Sequence, residues 1–360
     1  MSGAAEADAY PEVTRAVEAG FGHGFDDDGE PISVPQSATA GFSIQTPHSS
    51  SLGDQATRLR ELVAQHDGSV ASPRAMIPET HHPKNHREDY QQFASPKAAP
   101  VIAIASGKGG VGKSTIALNI ATASRRRCTL VDLDLGTANL DVMCGVSPRA
   151  RMDLELFNPH GPDLAAMTIR TSYGFGLIPG AAGVAGAANL DPIQRRWLLA
   201  AVQSLGSTGE TVIADMGAGI GLSVIETVAA ADLGLIVTTP DPAAIADAYA
   251  IIKCVVQHRG DPRPLRMGIV VTMVSGRNEA RTTHARIDRV CRRFLGGEIP
   301  LLGMVRRDGR VVQAARHREP LLANRSLGPA ARDLRGLAAL VEALAPVRGR
   351  AGMTPTHANA

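Results

Sequence analysis

The sequence predicts an α/β fold in which a mostly parallel β-sheet is flanked by helices. From Pro100 onward, short and almost wholly apolar runs alternate with helical patterns, as expected for parallel strands covered on both faces. Two helix starts are marked by an aspartate followed by proline, at Asp191 and at Asp241. Ligands of such folds bind at the carboxyl ends of the strands. The predicted strands are 101–105, 129–132, 176–179, 211–215, 233–238, 267–273 and 301–304.

The chain of 360 residues divides by composition into three parts. Residues 1–99 are rich in Ser, Pro, Gly, His and Gln and lack sustained apolar periodicity, which predicts a flexible, largely disordered N-terminal extension. One island within it, at 53–66, has apolar residues on one helical face and predicts a short helix. Residues 100–346 are the predicted α/β domain, and residues 347–360 are predicted to be a disordered tail.

The composition excludes several classes of function. Apolar residues make up 44% of the chain, which allows a sizeable core, whereas aromatic residues make up only 3%, too few for stacking platforms. The four cysteines are far apart and no C-x-x-C occurs, so zinc or iron–sulfur ligation is not expected. Neither a signal peptide nor an apolar run of about 18–20 residues is evident. We therefore expect a reduced, cytoplasmic protein.

A phosphate-binding motif, G-x-x-x-x-G-K-S, runs from Gly107 to Ser114 between a strand-like run and a helix-like run. Its glycines allow backbone N–H groups and the following helix N-terminus to surround a phosphate chain. Lys113 is expected on the β- and γ-phosphates, the Ser114 hydroxyl on Mg²⁺ and Thr115 on the α-phosphate. The predicted nucleotide-binding residues are Gly107, Lys108, Gly109, Gly110, Val111, Gly112, Lys113, Ser114 and Thr115.

Two predicted strands end in carboxylates that should face this loop. The strand that ends at Asp132 is followed by Asp134, and hydrolysis needs a residue that orients water in line with the γ-phosphate. We expect Asp134 to have this role; a solvated turn carboxylate is the alternative. The strand 211–215 ends in Asp215, a pattern typical of residues that hold the water shell of a metal ion. The predicted Mg²⁺ site therefore comprises Ser114 and Asp215.

A second lysine of the loop, Lys108, lies too close to Gly107 to duplicate the role of Lys113. A long cation that leaves the loop there can reach phosphates bound by a second subunit, which would couple the nucleotide to dimerisation. The alternative is a solvent-facing lysine. The arginines of 289–318 also allow two interpretations, a basic patch for nucleic acid or membrane, or a solvated face with interspersed carboxylates, which we favour.

Residues 108–115, Lys-Gly-Gly-Val-Gly-Lys-Ser-Thr, resemble the deviant P-loop of the MinD/ParA ATPases. In that family the residue matching Lys108 is the signature lysine, which acts across a nucleotide-sandwich dimer. The resemblance implies ATP and Mg²⁺ as cofactors, a homodimer formed with ATP, and slow, dimerisation-dependent ATP hydrolysis in which Lys108 and Asp134 are catalytic. Segments similar to the FlhG-type (FleN) flagellar number regulators are 132–145, 176–183, 214–220, 238–253 and 293–320.

The island in the extension supports the same subfamily. Residues 54–60, Asp-Gln-Ala-Thr-Arg-Leu-Arg, are similar to the activating motif of FlhG-type proteins, which acts on FlhF, a GTPase of the signal-recognition-particle type that places flagella. The resemblance implies control of flagellar number and placement through an FlhF-like partner that binds 53–66, with Gln55 presented to the GTPase site. The motif residues are Asp54, Gln55, Leu59 and Arg60.

Rival functions stay open at this point: a ParA-like partition ATPase on non-specific DNA, a MinD-like regulator of the division site, or a module that binds nucleotide without turnover. The motif at 54–60 argues against DNA binding. Thr272 and Arg306 stand where the family usually has Asn and Pro, which affects the expected adenine contacts at Thr272. The last helix is predicted at 329–345. The residues that follow it have no apolar face, so we do not expect a terminal membrane anchor. Transient placement at the membrane or cell pole stays open.

Overall fold

A computed structural model describes residues 99–152, 156, 161–181, 183, 189–259, 265–324 and 326–345. Its strands are β1 (Val101–Ser106), β2 (Cys128–Leu133), β3 (Ile169–Arg170), β4 (Gly176–Ile178), β5 (Thr211–Ala218), β6 (Leu233–Thr238), β7 (Met267–Val274) and β8 (Leu301–Arg306). They form one eight-stranded sheet in the order β3-β4-β2-β5-β1-β6-β7-β8. Every neighbouring pair is parallel except β3 and β4. The predicted α/β class with a mostly parallel sheet is confirmed.

All seven predicted strands are present, and their observed ends differ from the predicted ones by at most three residues. The sequence pattern missed β3, because two half-exposed residues at the edge of the sheet cannot show a period. By contrast, β1, β2 and β6 are buried along their whole length. This complete burial explains why their sequences are continuous apolar runs instead of alternating ones.

The helices lie on both faces of the sheet. They are α1 (Lys113–Ala123), α2 (Leu140–Met143), α3 (Pro192–Leu205), α4 (Leu222–Ala230), α5 (Pro242–His258), α6 (Arg277–Leu295), α7 (Gly309–Arg316) and α8 (Pro329–Leu344). One face is covered by α1 and α8, and the other by α4, α5 and α6. None of the helices in the described ranges is both long and apolar enough to cross a membrane.

The two Asp-Pro signals mark helix starts as predicted. The carboxylate of Asp191 accepts from the backbone N–H groups of Ile193 and Gln194, and the Gln194 side chain accepts in return from the Asp191 N–H, which completes a capping box for α3. Asp241 caps α5 in the same way through Ala243 and Ala244. Local hydrogen bonding therefore fixes where each of these helices begins.

The strand register brings the predicted site residues to one edge of the sheet. In the pairing of β5 with its two neighbours, Asp215 lies opposite Ile104 of β1 and opposite Asp132 of β2. The loop after β1 therefore begins beside the ends of β2 and β5. The predicted motif at 53–66 lies outside the described residues, as do the parts 1–98 and 346–360, so the predicted domain boundaries remain predictions.

The contact between β7 and β8 provides a test of core packing. A Cβ atom at Gly268 would lie 2.4 Å from Cγ of Leu302, a buried side chain, so we expect Gly268→Ala to lower the free energy of unfolding by about 1–3 kcal/mol. Gly336→Ala in α8 is the matched control, because nothing lies within 4 Å of its Cβ position and alanine favours a helix. Urea denaturation measures both; equal stability of the two variants would contradict this packing.

Candidate functional site

The glycine-rich loop between β1 and α1 has the backbone conformation of a phosphate cradle. Gly110 and Gly112 have φ angles of 79° and 89°, in the left-handed region that glycine adopts without strain. Gly112 is the residue that precedes the first turn of α1, so the N-terminus of that helix opens onto the loop. At the other end of the loop, a Cβ at Gly107 would lie 2.5 Å from the backbone of Asp247, which shows that the loop is packed tightly against α5.

A buried ion pair joins this loop to β5. The ammonium of Lys113 lies 3.1 Å from Oδ1 of Asp215, and their side chains are 7% and 1% exposed. Burial raises the pKa of the Asp215 carboxyl, and the charge of Lys113 opposes that shift. The second oxygen of this carboxylate, Oδ2, is buried and has no hydrogen-bond partner among the described residues. A buried, unpaired carboxylate oxygen is costly unless a donor or cation meets it.

The two hydroxyl residues that follow Lys113 begin α1. Ser114 is half-buried, and its Oγ accepts from the Lys113 ammonium at 3.4 Å, which places the hydroxyl beside the ion pair. Thr115 is half-buried too, and its carbonyl accepts a hydrogen bond from the Asn119 side chain at 2.8 Å. The structure thus places Ser114 at the predicted metal site, next to Asp215.

Asp132 has a different environment from the one the sequence suggested. The sequence predicts that the strand-end carboxylates face the glycine-rich loop, but the carboxylate of Asp132 accepts hydrogen bonds from the backbone N–H groups of Asp134, Asn139 and Leu140. Burial raises its pKa to about 7, and the charge of Asp215 adds to the shift, whereas the N–H donors oppose it. Asp132 therefore holds the chain between β2 and α2.

Asp134 lies beside the end of β5. Its Oδ1 lies 3.6 Å from the Cβ position of Gly217. The same oxygen accepts hydrogen bonds from the backbone N–H and the hydroxyl of Thr137, at 3.3 and 3.0 Å. Asp134 is therefore held by its own turn and lies close enough to Asp215 for their charges to interact, which agrees with both interpretations of the sequence.

Lys108 lies on the outer side of the loop. Its ammonium lies 3.4 Å from Oδ1 of Asp241, and the two side chains are 46% and 51% exposed. The N–H of Ala244, followed by Lys108, holds the pKa of the Asp241 carboxyl below its usual value. An exposed pair of this kind contributes little to stability. Lys108 can therefore exchange Asp241 for another anion at little cost.

Thr272 makes a contact with the loop that the sequence did not predict; the sequence indicated only that this residue differs from the usual Asn of the family. Its buried hydroxyl lies 2.6 Å from the carbonyl of Val111 in the loop and 3.0 Å from the carbonyl of Thr238. A hydroxyl has one proton, so these two acceptors share it. Thr272 therefore ties β7 to the loop and to β6. Arg306, the other departure, forms a bidentate ion pair with Asp333 of α8.

The predicted GTPase-activating residues of 54–60 lie outside the described residues, so the structure does not relate them to this site. The arginines of α6 and α7 are largely exposed, which both the solvated-face and the basic-patch interpretations require. One sequence feature could have indicated that Thr272 lies near the loop: its position at the carboxyl end of an apolar strand. That strand, β7, is the third along the sheet from β5, which carries Asp215.

Comparison with known proteins places these features in a family. The profile of the CobQ/CobB/MinD/ParA nucleotide binding domain matches residues 102–321. Antiactivator FleN of Pseudomonas aeruginosa is 32% identical over 227 residues, which cover 62% of this chain and 79% of FleN. Flagellum site-determining protein YlxH of Helicobacter pylori is 33% identical over 230 residues, covering 61% and 74% of the two chains.

The fold has solved counterparts. The septum site-determining protein MinD of Pyrococcus horikoshii, solved as a complex with Mg-ADP, superposes with a TM-score of 0.55 at 21% identity. The superposition covers 66% of this chain and 94% of that one. At this level of identity the likeness shows the shared fold.

Asp132 should make stability depend on pH. Its folded-state pKa of about 7 exceeds the ordinary 3.8, so its favourable contribution is complete below about pH 4 and is lost as pH rises through 7. We expect the free energy of unfolding to fall across this window by an amount on the order of 3 kcal/mol from Asp132, and to fall less in Asp132→Asn. Urea titrations between pH 4 and 7 measure it.

Asp163→Asn, at an exposed carboxylate, is the control and should keep the wild-type dependence. If Asp132→Asn showed that same dependence, the buried carboxyl would not be the group that titrates.

Proposed function

The chain belongs to the CobQ/CobB/MinD/ParA family of nucleotide-binding domains, and on this basis we propose that it is an ATP-dependent dimerisation switch. It is an ATPase of the MinD/ParA type, fused to an N-terminal extension. The observation that carries the proposal is the buried Lys113–Asp215 pair at the mouth of the glycine-rich loop, with one carboxylate oxygen left without a partner. ATP is the substrate, and Mg²⁺ is the expected metal.

The residues at the loop fit a nucleotide phosphate chain and its metal. Exposed glycine N–H groups, the N-terminus of α1 and the Lys113 ammonium supply positive potential at one point. Ser114 and Asp215 would hold Mg²⁺, which neutralises charge on the β- and γ-phosphates when bound. The unpartnered Oδ2 of Asp215 supports this assignment, because the water shell of a metal ion would satisfy it.

Asp134 is the residue we assign to positioning the attacking water. It is half-buried, close to the end of β5, and its carboxylate is oriented by two hydrogen bonds from Thr137. A carboxylate that accepts a proton from water, or orients it, must be held within hydrogen-bond reach of the reacting centre. The Thr137 contacts provide such orientation without removing the carboxylate from the edge of the sheet where the loop lies.

Dimerisation is supported by side chains exposed at the same edge. Lys108 has only a weak exposed partner and can turn outward to phosphates held by a second subunit. Ile220 and Leu222, which follow β5, are each 53% exposed. A second subunit that covers these apolar side chains would remove them from water, which favours association. Lys108 and this apolar pair together make the carboxyl edge of the sheet the proposed dimer face.

The proposed physiological role is control of flagellar number or placement through an FlhF-like GTPase. It is supported by the similarity to FleN and YlxH over the ATPase domain and, independently, by the motif at 54–60. A MinD-like role at the division site is the second candidate, favoured by the MinD relatives at a similar identity. The motif is the feature that separates the two.

Lys108→Ala tests the switch. We expect the variant to keep nucleotide binding, because Lys113 and the loop N–H groups remain, but to lose the ATP-dependent dimer in analytical sizing. ATP turnover should fall by at least about tenfold, a loss of about 1.4 kcal/mol in the transition state. Lys253→Ala, at an exposed lysine of α5 remote from the loop, should form the dimer as the wild type does.

Asp134→Ala completes this experiment, since it should dimerise with ATP and fail to hydrolyse it. A Lys108→Ala variant that still dimerised fully with ATP would overturn the role of Lys108.

Gln55→Ala tests the partner. We expect the full-length variant to bind ATP and dimerise normally, but to lose most of its stimulation of an FlhF-like GTPase, measured as phosphate release from GTP. Gln91→Ala, in the extension but outside 53–66, is the matched control. Equal stimulation by both variants would remove the GTPase role and leave the ATPase switch intact.

A further inference from the structure

Charge is strongly segregated along this chain. Residues 6–30 carry eight carboxylates and a single basic residue, Arg15, a net charge of −7. Residues 54–99 are balanced, with six residues of each sign. Residues 100–360 carry 30 lysines and arginines against 21 carboxylates, a net charge of +9. The net charge of +2 is therefore the sum of an acidic segment and a basic domain in one chain.

The outer side of α6 is one basic surface of the domain. Four exposed arginines lie within a 140° arc of the helix at its usual 100° per residue, and we call them the arginine ridge: Arg281, Arg286, Arg289 and Arg293. Among the described residues, none of the four has a carboxylate within ion-pair distance. The buried side of the same helix packs on β7 and β8.

The carboxylates near the ridge are already engaged. Asp288 accepts from the Ile299 N–H and from Arg292, and Glu298 pairs with Arg292 as well. Glu279 accepts from the backbone and hydroxyl of Ser275. The four ridge arginines and Arg292 outnumber these three carboxylates, so this surface keeps a net positive charge. The ridge ends at Phe294, which is 48% exposed and lies against the guanidinium of Arg293, 5.3 Å from its carbon to the ring centroid.

The second arginine cluster of the domain is a poorer partner for an acidic segment. In α7 and the residues just before it, Arg310 pairs with Asp308, and Arg307 donates to the carbonyl of Met273. The carboxylate of Glu319 lies just after this helix and accepts from Asn324. Charge alternates there, whereas the four positions of the arginine ridge all carry the same sign.

From this complementarity we propose that the acidic segment 6–30 docks on the arginine ridge of its own chain. The reach is sufficient, because about 70 residues separate Glu30 from Ala99, and a chain of that length would span roughly 45 Å even as a random coil. Ala99 lies at the edge of the sheet where β1 begins. Because α6 runs antiparallel to the strands, its last residues lie at that same edge. Linkage within one chain raises the effective concentration of the segment.

Docking of this kind covers a basic surface of the domain, which would otherwise attract nucleic acid or anionic membranes without specificity. This consequence does not depend on ATP hydrolysis, and the proposal stands apart from the function proposed above.

Arginine footprinting of the full-length protein tests the proposal. Phenylglyoxal labelling with mass spectrometry reports how accessible each arginine is. At low salt, we expect the ridge arginines to react about three- to tenfold more slowly in the wild type than in the variant D26N/D27N/D28N/E30Q, as the docked fraction dictates. In 0.5 M salt the protection should disappear, because the screening length falls to a few ångströms.

The matched control is D67N/E79Q/E88Q/D89N, which changes the net charge by the same amount in the balanced part of the extension and should keep the protection. Arg316 and Arg318, exposed outside the ridge, are internal references whose rates should not change. Equal ridge reactivity in the wild type and the first variant would overturn the proposal. So would loss of protection in the control, or protection that weakens on dilution, which would indicate a second copy as the occupant.

Discussion

The buried pair between Lys113 and Asp215 is the interaction on which the rest of the site depends. It joins the loop after β1 to the end of β5 in a region where each side chain is at most 7% exposed. A buried charge that loses its partner costs about 3–5 kcal/mol, so neither residue can be placed there without the other. The pair is nevertheless incomplete, since Oδ2 of Asp215 lacks a partner. In the proposed function, this lysine would bind phosphate and this oxygen would accept hydrogen bonds from waters on the metal ion.

Around this pair, side chains at the ends of the strands hold the loops in place. The carboxylate of Asp132 accepts hydrogen bonds from three backbone N–H groups between β2 and α2. The hydroxyl of Thr272 donates to the Val111 carbonyl and so joins the loop to β7. Both are buried polar groups whose hydrogen bonds are made within the protein. Asp134 is carried by the first of these loops, so its position depends on Asp132. The chemistry assigned to Asp134 thus rests on a neighbour that does not itself face the nucleotide.

Sequence alone was sufficient for the strands and the loop, because buried parallel strands and a P-loop have patterns that are local. It was sufficient for Asp215 for the same reason: an apolar strand ended by one carboxylate. It was not sufficient for Asp132, Thr272 or the contact of Gly107 with Asp247, because each depends on which strand or helix is a neighbour in space. The edge strand β3 was missed since two residues carry no period. The pairing of Lys108 with Asp241 joins residues 133 positions apart and has no sequence signal.

The strengths of these contacts fall into an order that suits a switch. Lys113, proposed to bind phosphate, and Asp215, proposed to hold the metal ion, are buried, and their ion pair is costly to break. The element proposed to act between subunits, Lys108, is exposed and held by a pair that contributes little. If Lys108 were buried with Asp241, each exchange of partner would require a costly desolvated charge, and association would be slow to reverse. Exposure of this lysine would therefore let the proposed dimer form and separate while the glycine-rich loop and the Lys113–Asp215 pair stay intact.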